Sequence, residues 1–412
     1  MFSYSQNDFY CEHVALADLA HQVGTPAYVY SATAILDNYR AYATAFGDLP
    51  HTVCYAVKAN SSLGVLSLLA KAGAGFDIVS GGELFRVLRA GGDPGKVVFS
   101  GVGKTRDEVD YALRSGIHSF NCESEAELAL IDALAARLGA KVGFSIRVNP
   151  DVDAVTHPYI STGLSQHKFG IAIADAEAVY QRSRQYRSLA AEGVSCHIGS
   201  QILDPSPLIE ALDKVLALAA RLREQGHPIR HLDLGGGLGV AYHEGEKAPD
   251  IAAYVECLRS RVRESGLAVM VEPGRSIVGP AGVLLTRVLY RKRNGAKEFI
   301  VVDAAMNDLI RPSLYRAHHE IVPLRRTPLP PVKADVVGPV CETGDFLARD
   351  REMPNAMPGD YLAVRTAGAY GFVLSSNYNS RPRAPEVLVE GDTWRVIRER
   401  EVYEDLIRGE SL

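Results

Sequence analysis

Lys58 closes the apolar run Val53-Cys54-Tyr55-Ala56-Val57. A lysine is rarely buried at the end of a strand unless its charge is used or removed. Burial lowers the pKa of the amine and exposes a nucleophile that can form a Schiff base with a carbonyl carbon. Further segments with chemistry-bearing residues follow in order. They are His197-Ile198-Gly199-Ser200-Gln201, Leu234-Gly235-Gly236-Gly237-Leu238-Gly239, Glu272-Pro273-Gly274-Arg275, Cys341-Glu342-Thr343-Gly344-Asp345 and Gly368-Ala369-Tyr370-Gly371. Between them they offer hydroxyl and backbone N–H donors for an anion, aromatic rings, a carboxylate and a thiol. Each also has a plainer reading. Lys58 could snorkel at a strand end. The glycines could make a tight strand-to-helix turn, and Cys341 could be a small buried hydrophobe.

The elements that must position these residues are legible as a repeat. Eight short apolar runs recur: Val53–Ala59, Gly75–Ser80, Val97–Gly101, Ser119–Glu123, Val142–Asn149, Gly193–Gly199, His231–Gly237 and Ala268–Pro273. Stretches with apolar residues three and four apart lie between them, Ala126–Leu138 and Leu208–Glu224 among them, and these predict helices. Eight strand–helix alternations predict a (β/α)8 TIM-like barrel, an α/β architecture whose active sites lie at the C-terminal ends of the strands. Lys58, His197, the glycines, Glu272 and Arg275 all fall at such ends. A doubly wound open sheet is the alternative.

After Pro280 the pattern changes. Val283–Tyr290, Phe299–Asp303, Val332–Val337, Tyr361–Thr366, Glu386–Val389 and Thr393–Ile397 are separated by Gly, Pro and Asn clusters, which predicts a C-terminal β-rich, β-barrel-like domain. Leu16–Val23 reads as a short helix and Ala27–Tyr30 as a strand that joins it. The expected division is a barrel over 32–280, with 1–31 and 281–412 in the β domain. The stretch 151–170 has no period and reads as a lid or substrate loop.

Bulk properties exclude other classes. The chain has 412 residues, 47% hydrophobic and 23% charged, enough for two domains with a sizeable core. A net charge of −5 argues against nucleic-acid or membrane-surface binding. No apolar run approaches about 18 residues, so no membrane span is expected. The start MFSYSQNDFY lacks a basic n-region and an apolar h-region, so no secretory signal is expected. Six cysteines without CxxC spacing favour free thiols in a reducing cytoplasm over disulfides or zinc. The adjacent pair His318-His319 is a poor metal site, because neighbouring side chains rarely converge on one ion.

Taken together and in order, YAVKAN, HIGSQ, LGGGLG, EPGR, DLIRP, CETGD and GAYG resemble the alanine-racemase-like fold class of pyridoxal 5'-phosphate enzymes. Within that class, nearly the whole chain is similar to the diaminopimelate decarboxylase family. The resemblance implies a barrel with a C-terminal β domain, pyridoxal phosphate as cofactor, and decarboxylation of meso-2,6-diaminopimelate to L-lysine, the last step of lysine biosynthesis. It implies Lys58 as the Schiff-base lysine, His197 stacked on the pyridine ring, and Glu272 at the ring nitrogen. Ser200, Gly235, Gly236, Gly237, Gly274, Arg275 and Tyr370 would complete the cofactor site, with Asp77 and Arg147 nearby. Arg275, Arg311, Tyr315, Glu342 and Tyr370 would bind substrate, and Cys341 would return a proton to carbon. A homodimer with shared active sites is implied, Cys341 and Glu342 coming from the partner subunit.

A decarboxylase for ornithine, lysine or arginine would not need Arg311 and Tyr315 as a carboxylate clamp, and usually carries aspartate where Glu342 stands. A secondary-metabolism decarboxylase fits the same motifs. An alanine racemase would place arginine where Glu272 stands, and a non-catalytic cofactor-binding protein would lack the β domain, Lys58 or Cys341. Two departures from the family pattern are visible, Ala305 in place of glycine and Thr343 in place of serine. Both spare the chemical positions.

Overall fold

The computed structural model describes residues 1–153 and 168–412. The chain divides into two compact units, one made of 38–240 with 248–276, the other of 1–37, 241–247 and 277–412.

In the first unit, eight parallel strands close on themselves: His51–Ala56, Gly75–Ile78, Val97–Phe99, Ser119–Cys122, Val142–Asn149, Leu189–Cys196, His231–Asp233 and Ala268–Val271. Each pairs with the next, and the eighth returns to the first, Val271 opposite Val53. Every run read from the sequence is a strand, but most strands stop short of the predicted end. The first ends at Ala56, and Lys58 sits on the single 3-10 turn Val57–Ala59 just beyond it. Strands ringed by helices are buried on both faces, so they read as continuous apolar runs; all eight residues of Val142–Asn149 are buried.

The strand-to-helix junctions are capped by hydroxyls. Ser80 accepts from the Glu83 N–H and Ser124 from the Glu127 N–H. Thr105 forms a reciprocal box with Glu108. These caps satisfy orphan helix N–H groups on the face where the site is built. The segment 151–170, read as a lid, falls from 154 to 167 outside the described residues. Its far end is tied down, the Gly170 N–H donating to Glu123 at 2.6 Å.

The second unit is a mainly antiparallel sheet. The strand Ala27–Ser31 lies between Gly282–Asn294 and Glu386–Glu390, which joins the N-terminal segment to the C-terminal domain. Strands Phe346–Met353 and Ile321–Pro323 and the hairpin Phe2–Ser5/Asp8–Cys11 add to what the sequence predicts. A Cβ on Gly338 would fall 2.7 Å from the Ala305 Cα, so glycine at 338 lets these backbones meet.

Buried Asp308 pins the turn before Arg311, accepting from the Ala305 N–H at 2.9 Å. Burial pushes its carboxyl up to about 7. Its unfolded value is about 4, so between these values the folded state binds more protons than the unfolded one. Stability therefore falls as pH rises through this window, by at most about 1.4 kcal/mol per pH unit. Asp308→Asn keeps the acceptor and removes the titration. Urea midpoints at pH 5 and pH 8 should show the variant gaining on wild type as pH rises; parallel profiles would contradict this account.

Candidate functional site

All eight barrel strands deliver a polar residue to the C-terminal mouth: Lys58, Asp77, Ser100, Asn121, Arg147, His197, Asp233 and Glu272 in strand order. A cavity of about 190 Å³ there is lined by Lys58, Ser100, Arg147, His197 and Glu272, with Val79, Gly101, Phe169 and Ser195. Closure of the barrel thus gathers Lys58, His197 and Glu272, 214 positions apart from first to last in the chain, into one space.

The Lys58 ammonium is paired with Asp77, which is fully buried. His197 is held by both its backbone and its ring. Its carbonyl accepts from Arg147 at 3.4 Å, and its Nδ1 accepts the Gly236 N–H at 3.2 Å. Burial, reinforced by Arg147 and Lys58, keeps the imidazole well below its ordinary range. It is therefore a neutral ring with the hydrogen on Nε2. Arg147 is fixed in turn by Glu123 at 2.9 Å and by the face of Phe169, 4.7 Å from its guanidinium carbon.

Glu272 lies in a buried polar knot. Its Oε1 accepts from Ser100 and Asn121, each at 3.3 Å, and the same Asn121 amide donates to Asp233 at 2.7 Å. Burial pushes the Glu272 carboxyl well up, and the adjacent Asp233 adds to the effect. Two buried carboxylates in contact cannot both ionise, so the pair shares a proton. Asp233, Asn121 and Ser100 were not identified as site residues by sequence reasoning. Their only signal was their position at the inward ends of apolar runs.

Two of the glycine N–H groups expected for phosphate are engaged inside the barrel, Gly235 with Asp233 at 3.0 Å and Gly236 with His197. Glycine is required here for packing as well. Gly235 has φ +63, and a Cβ on Gly236 would lie 2.2 Å from the Glu272 carbonyl oxygen. Close backbone packing accounts for both positions, and no helix follows them directly: the strand ends at Asp233 and the next helix begins at Ile251. Nearby, Arg275 donates to the Ser200 hydroxyl at 3.1 Å, joining a cation and a hydroxyl. Gly274 sits where a Cβ would meet Ala59 at 2.9 Å.

The β domain carries the other expected residues. Arg311 is buried at the start of the short helix Arg311–Tyr315, and Tyr315 is half-buried at its end. Cys341 is exposed, which removes its reading as a buried hydrophobe, and its N–H donates to Asn379 at 2.9 Å. Exposed Glu342 accepts from the Tyr378 hydroxyl at 2.6 Å. Tyr370 has φ +54, a left-handed conformation costly for a bulky side chain and concentrated at functional sites.

Among the described residues, no group of three His, Cys, Asp or Glu side chains could hold a metal, and no helix is long and apolar enough to cross a membrane. The cavity chemistry fits a phosphorylated pyridine aldehyde. It has an amine for the aldehyde, a neutral ring for the flat face and an acid for a ring nitrogen, and the Arg275–Ser200 pair outside its lining offers a cation and hydroxyl for phosphate.

Residues 32–279 match the family model described as pyridoxal-dependent decarboxylase, pyridoxal binding domain. A diaminopimelate decarboxylase of Pseudomonas aeruginosa is 57% identical over 411 residues, covering 100% of this chain and 99% of the relative. The solved diaminopimelate decarboxylase of M. jannaschii in complex with L-lysine superposes with a TM-score of 0.95 at 36% identity, over 100% of this chain and 98% of that one. That of Helicobacter pylori, also with L-lysine, gives 0.92 at 44%, over 95% and 98%. Barrel, β domain and cavity define a pyridoxal-dependent decarboxylase, with pyridoxal phosphate as its cofactor. Within that class, the chain belongs to the diaminopimelate decarboxylase family.

Proposed function

We propose that this enzyme decarboxylates meso-2,6-diaminopimelate to L-lysine and carbon dioxide, closing lysine biosynthesis. The observation that carries the chemistry is the single cavity uniting Lys58, His197 and Glu272. Cofactor would be held by Lys58 at its aldehyde, His197 against the ring, and Glu272 at the nitrogen. Ser200, Gly237, Gly274, Arg275 and Tyr370 would serve its phosphate and rim, and Gly235 and Gly236 would let the backbone come close. When bound, the cofactor supplies an electron sink for the pair released as the carbon–carboxylate bond breaks.

The chain's own groups do the rest. Asp77 keeps the Lys58 amine oriented, and Glu272 shares a proton with Asp233 while both accept from the Asn121 amide. His197, neutral and anchored by Gly236, gives a flat wall without adding positive charge. Arg275, Arg311 and Tyr315 bind the distal carboxylate, which guanidinium geometry suits. Glu342 and Tyr370 meet the distal amine, and the Cys341 thiol delivers a proton to carbon. We propose a homodimer in which Cys341 and Glu342 act at the partner's cavity. A reducing cytoplasm suits the six free cysteines, of which Cys341 and Cys257 are exposed.

Carbon dioxide release across a panel of amino acids tests the substrate. Diaminopimelate should exceed lysine and ornithine in kcat/KM by about a thousand-fold or more, because those substrates lack the second carboxylate that the proposed arginine and tyrosine contacts would recognise. Equal turnover of ornithine or lysine would reduce the reading to a broader amino-acid decarboxylase.

A further inference from the structure

Gln201 stands at φ +60, a left-handed backbone that is costly for a residue with a side chain and recurs at functional sites. Its carboxamide binds the main chain of a single residue 39 positions later. The side-chain nitrogen donates to the Val240 carbonyl at 2.6 Å, and the Val240 N–H donates to the side-chain oxygen at 3.2 Å. One of these backbone groups only accepts and the other only donates, so they fix which end of the side chain is nitrogen. A carboxamide is chemically a peptide unit, and here it supplies one more rung between two stretches of main chain.

That rung closes a series joining the segments that follow the sixth and seventh barrel strands. The series begins at His197, whose Nδ1 accepts the Gly236 N–H at 3.2 Å. Ile202 then donates its N–H to the Gly237 carbonyl and receives the Gly239 N–H on its own carbonyl, both at 2.9 Å, which makes a parallel bridge between Ile202 and Leu238. Gly237 permits the approach, since its φ is +120 and a Cβ there would fall 2.6 Å from the Gly199 carbonyl oxygen. The two segments thus form one short ribbon that starts at a residue lining the cavity. Ser200 lies within it, between His197 and Gln201, and its hydroxyl accepts from Arg275 at 3.1 Å.

We propose that Gln201 is a positioning residue for the phosphate end of the cofactor, fixing the spacing between Ser200 and Gly237 by clamping Val240. This rests on the reading of Ser200 and Gly237 as phosphate residues given above. Donors from two separate segments bind one anion well only when their separation is set beforehand. The seventh-strand segment carries three glycines in succession, so its own backbone offers little stiffness. The Gln201 clamp supplies that stiffness from the neighbouring segment. Val240 is buried, so loss of the carboxamide leaves its N–H and carbonyl to find other partners, and the segment shifts to meet them.

The test compares two ligands that differ only in the phosphate. Full-length protein is equilibrated by dialysis against pyridoxal 5'-phosphate or against pyridoxal, and bound ligand is read by absorbance. Gln201→Leu keeps the bulk and removes both hydrogen bonds. It should weaken pyridoxal phosphate about ten-fold or more and pyridoxal less than about two-fold, so that the preference for the phosphorylated form falls. Equal weakening of both ligands marks a merely structural residue and overturns the proposal, as does unchanged affinity for both. Where Gln201→Leu does not accumulate folded, as judged by thermal melting, Gln201→Gly carries the same comparison, because glycine adopts a positive φ without strain. Ser200→Ala tests the underlying reading separately and should by itself lower the preference for the phosphorylated form. If it does not, the phosphate reading of Ser200 fails and the proposal with it. If it does while the Gln201 variant keeps the wild-type preference, only the role of Gln201 is lost.

Discussion

Lys58→Ala and Cys341→Ala are each expected to leave less than about a thousandth of wild-type kcat/KM, the scale at which loss of one member of a catalytic unit disables the whole. Lys58 is the lysine that lines the cavity, and its ammonium is held by an aspartate with no solvent exposure. Removing it deletes the amine and strands Asp77 as a buried charge. Cys341 is exposed in the β domain, so its loss costs little stability and its effect should be confined to proton delivery. The two variants should complement each other. Random exchange makes about half the dimers mixed, and each mixed dimer carries one intact site of two, so activity should return to about a quarter of wild type. Borohydride should fix the cofactor to the peptide containing Lys58, as read by mass spectrometry. An adduct on another lysine sinks the assignment, and no recovery despite demonstrated exchange sinks the shared site.

Glu272→Gln should lower kcat about a hundred-fold or more while leaving cofactor binding within a few-fold, the range expected when a positioned acid is lost. Glutamine preserves size and can still accept from Ser100 and Asn121, so the knot around it survives. What it cannot do is hold and release a proton. Burial and the adjacent Asp233 raise the Glu272 carboxyl in the wild type, so a proton is available beside the ring nitrogen that the proposed function places there. Absorbance titration with cofactor and single-turnover carbon dioxide release separate binding from chemistry. A variant that turns over at the wild-type rate with saturating cofactor would show that the proton on Glu272 has no part in the reaction.

Some elements of the β domain were legible and others were not, for local physical reasons. The long strand Gly282–Asn294 was visible only to Tyr290, because Arg291–Asn294 are polar and carry no apolar alternation. Phe346–Met353 was missed because Arg349-Asp350-Arg351 interrupts its apolar pattern. The strand also shifts register against Val332–Val337, and Asp350 adopts φ +48. A bulge breaks the two-residue period on which strand reading depends.

The sequence alone determined the eight-fold strand–helix alternation, because buried parallel strands must be apolar throughout and helices must be amphipathic. It also placed Lys58, His197 and Glu272 at strand ends, since a barrel exposes its chemistry only there. Tertiary structure decided what closure brings together. Ser100, Asn121, Asp233 and Glu272 arrive from four strands, and their shared proton exists only because the barrel sets two carboxylates side by side away from water. It also decided that the Gly235 and Gly236 amides serve Asp233 and His197, and that Arg311 meets His319 and Tyr242, the latter 69 positions earlier in the chain. Such partners are set by distance and desolvation in the folded state. Residue type and local spacing carry no record of either.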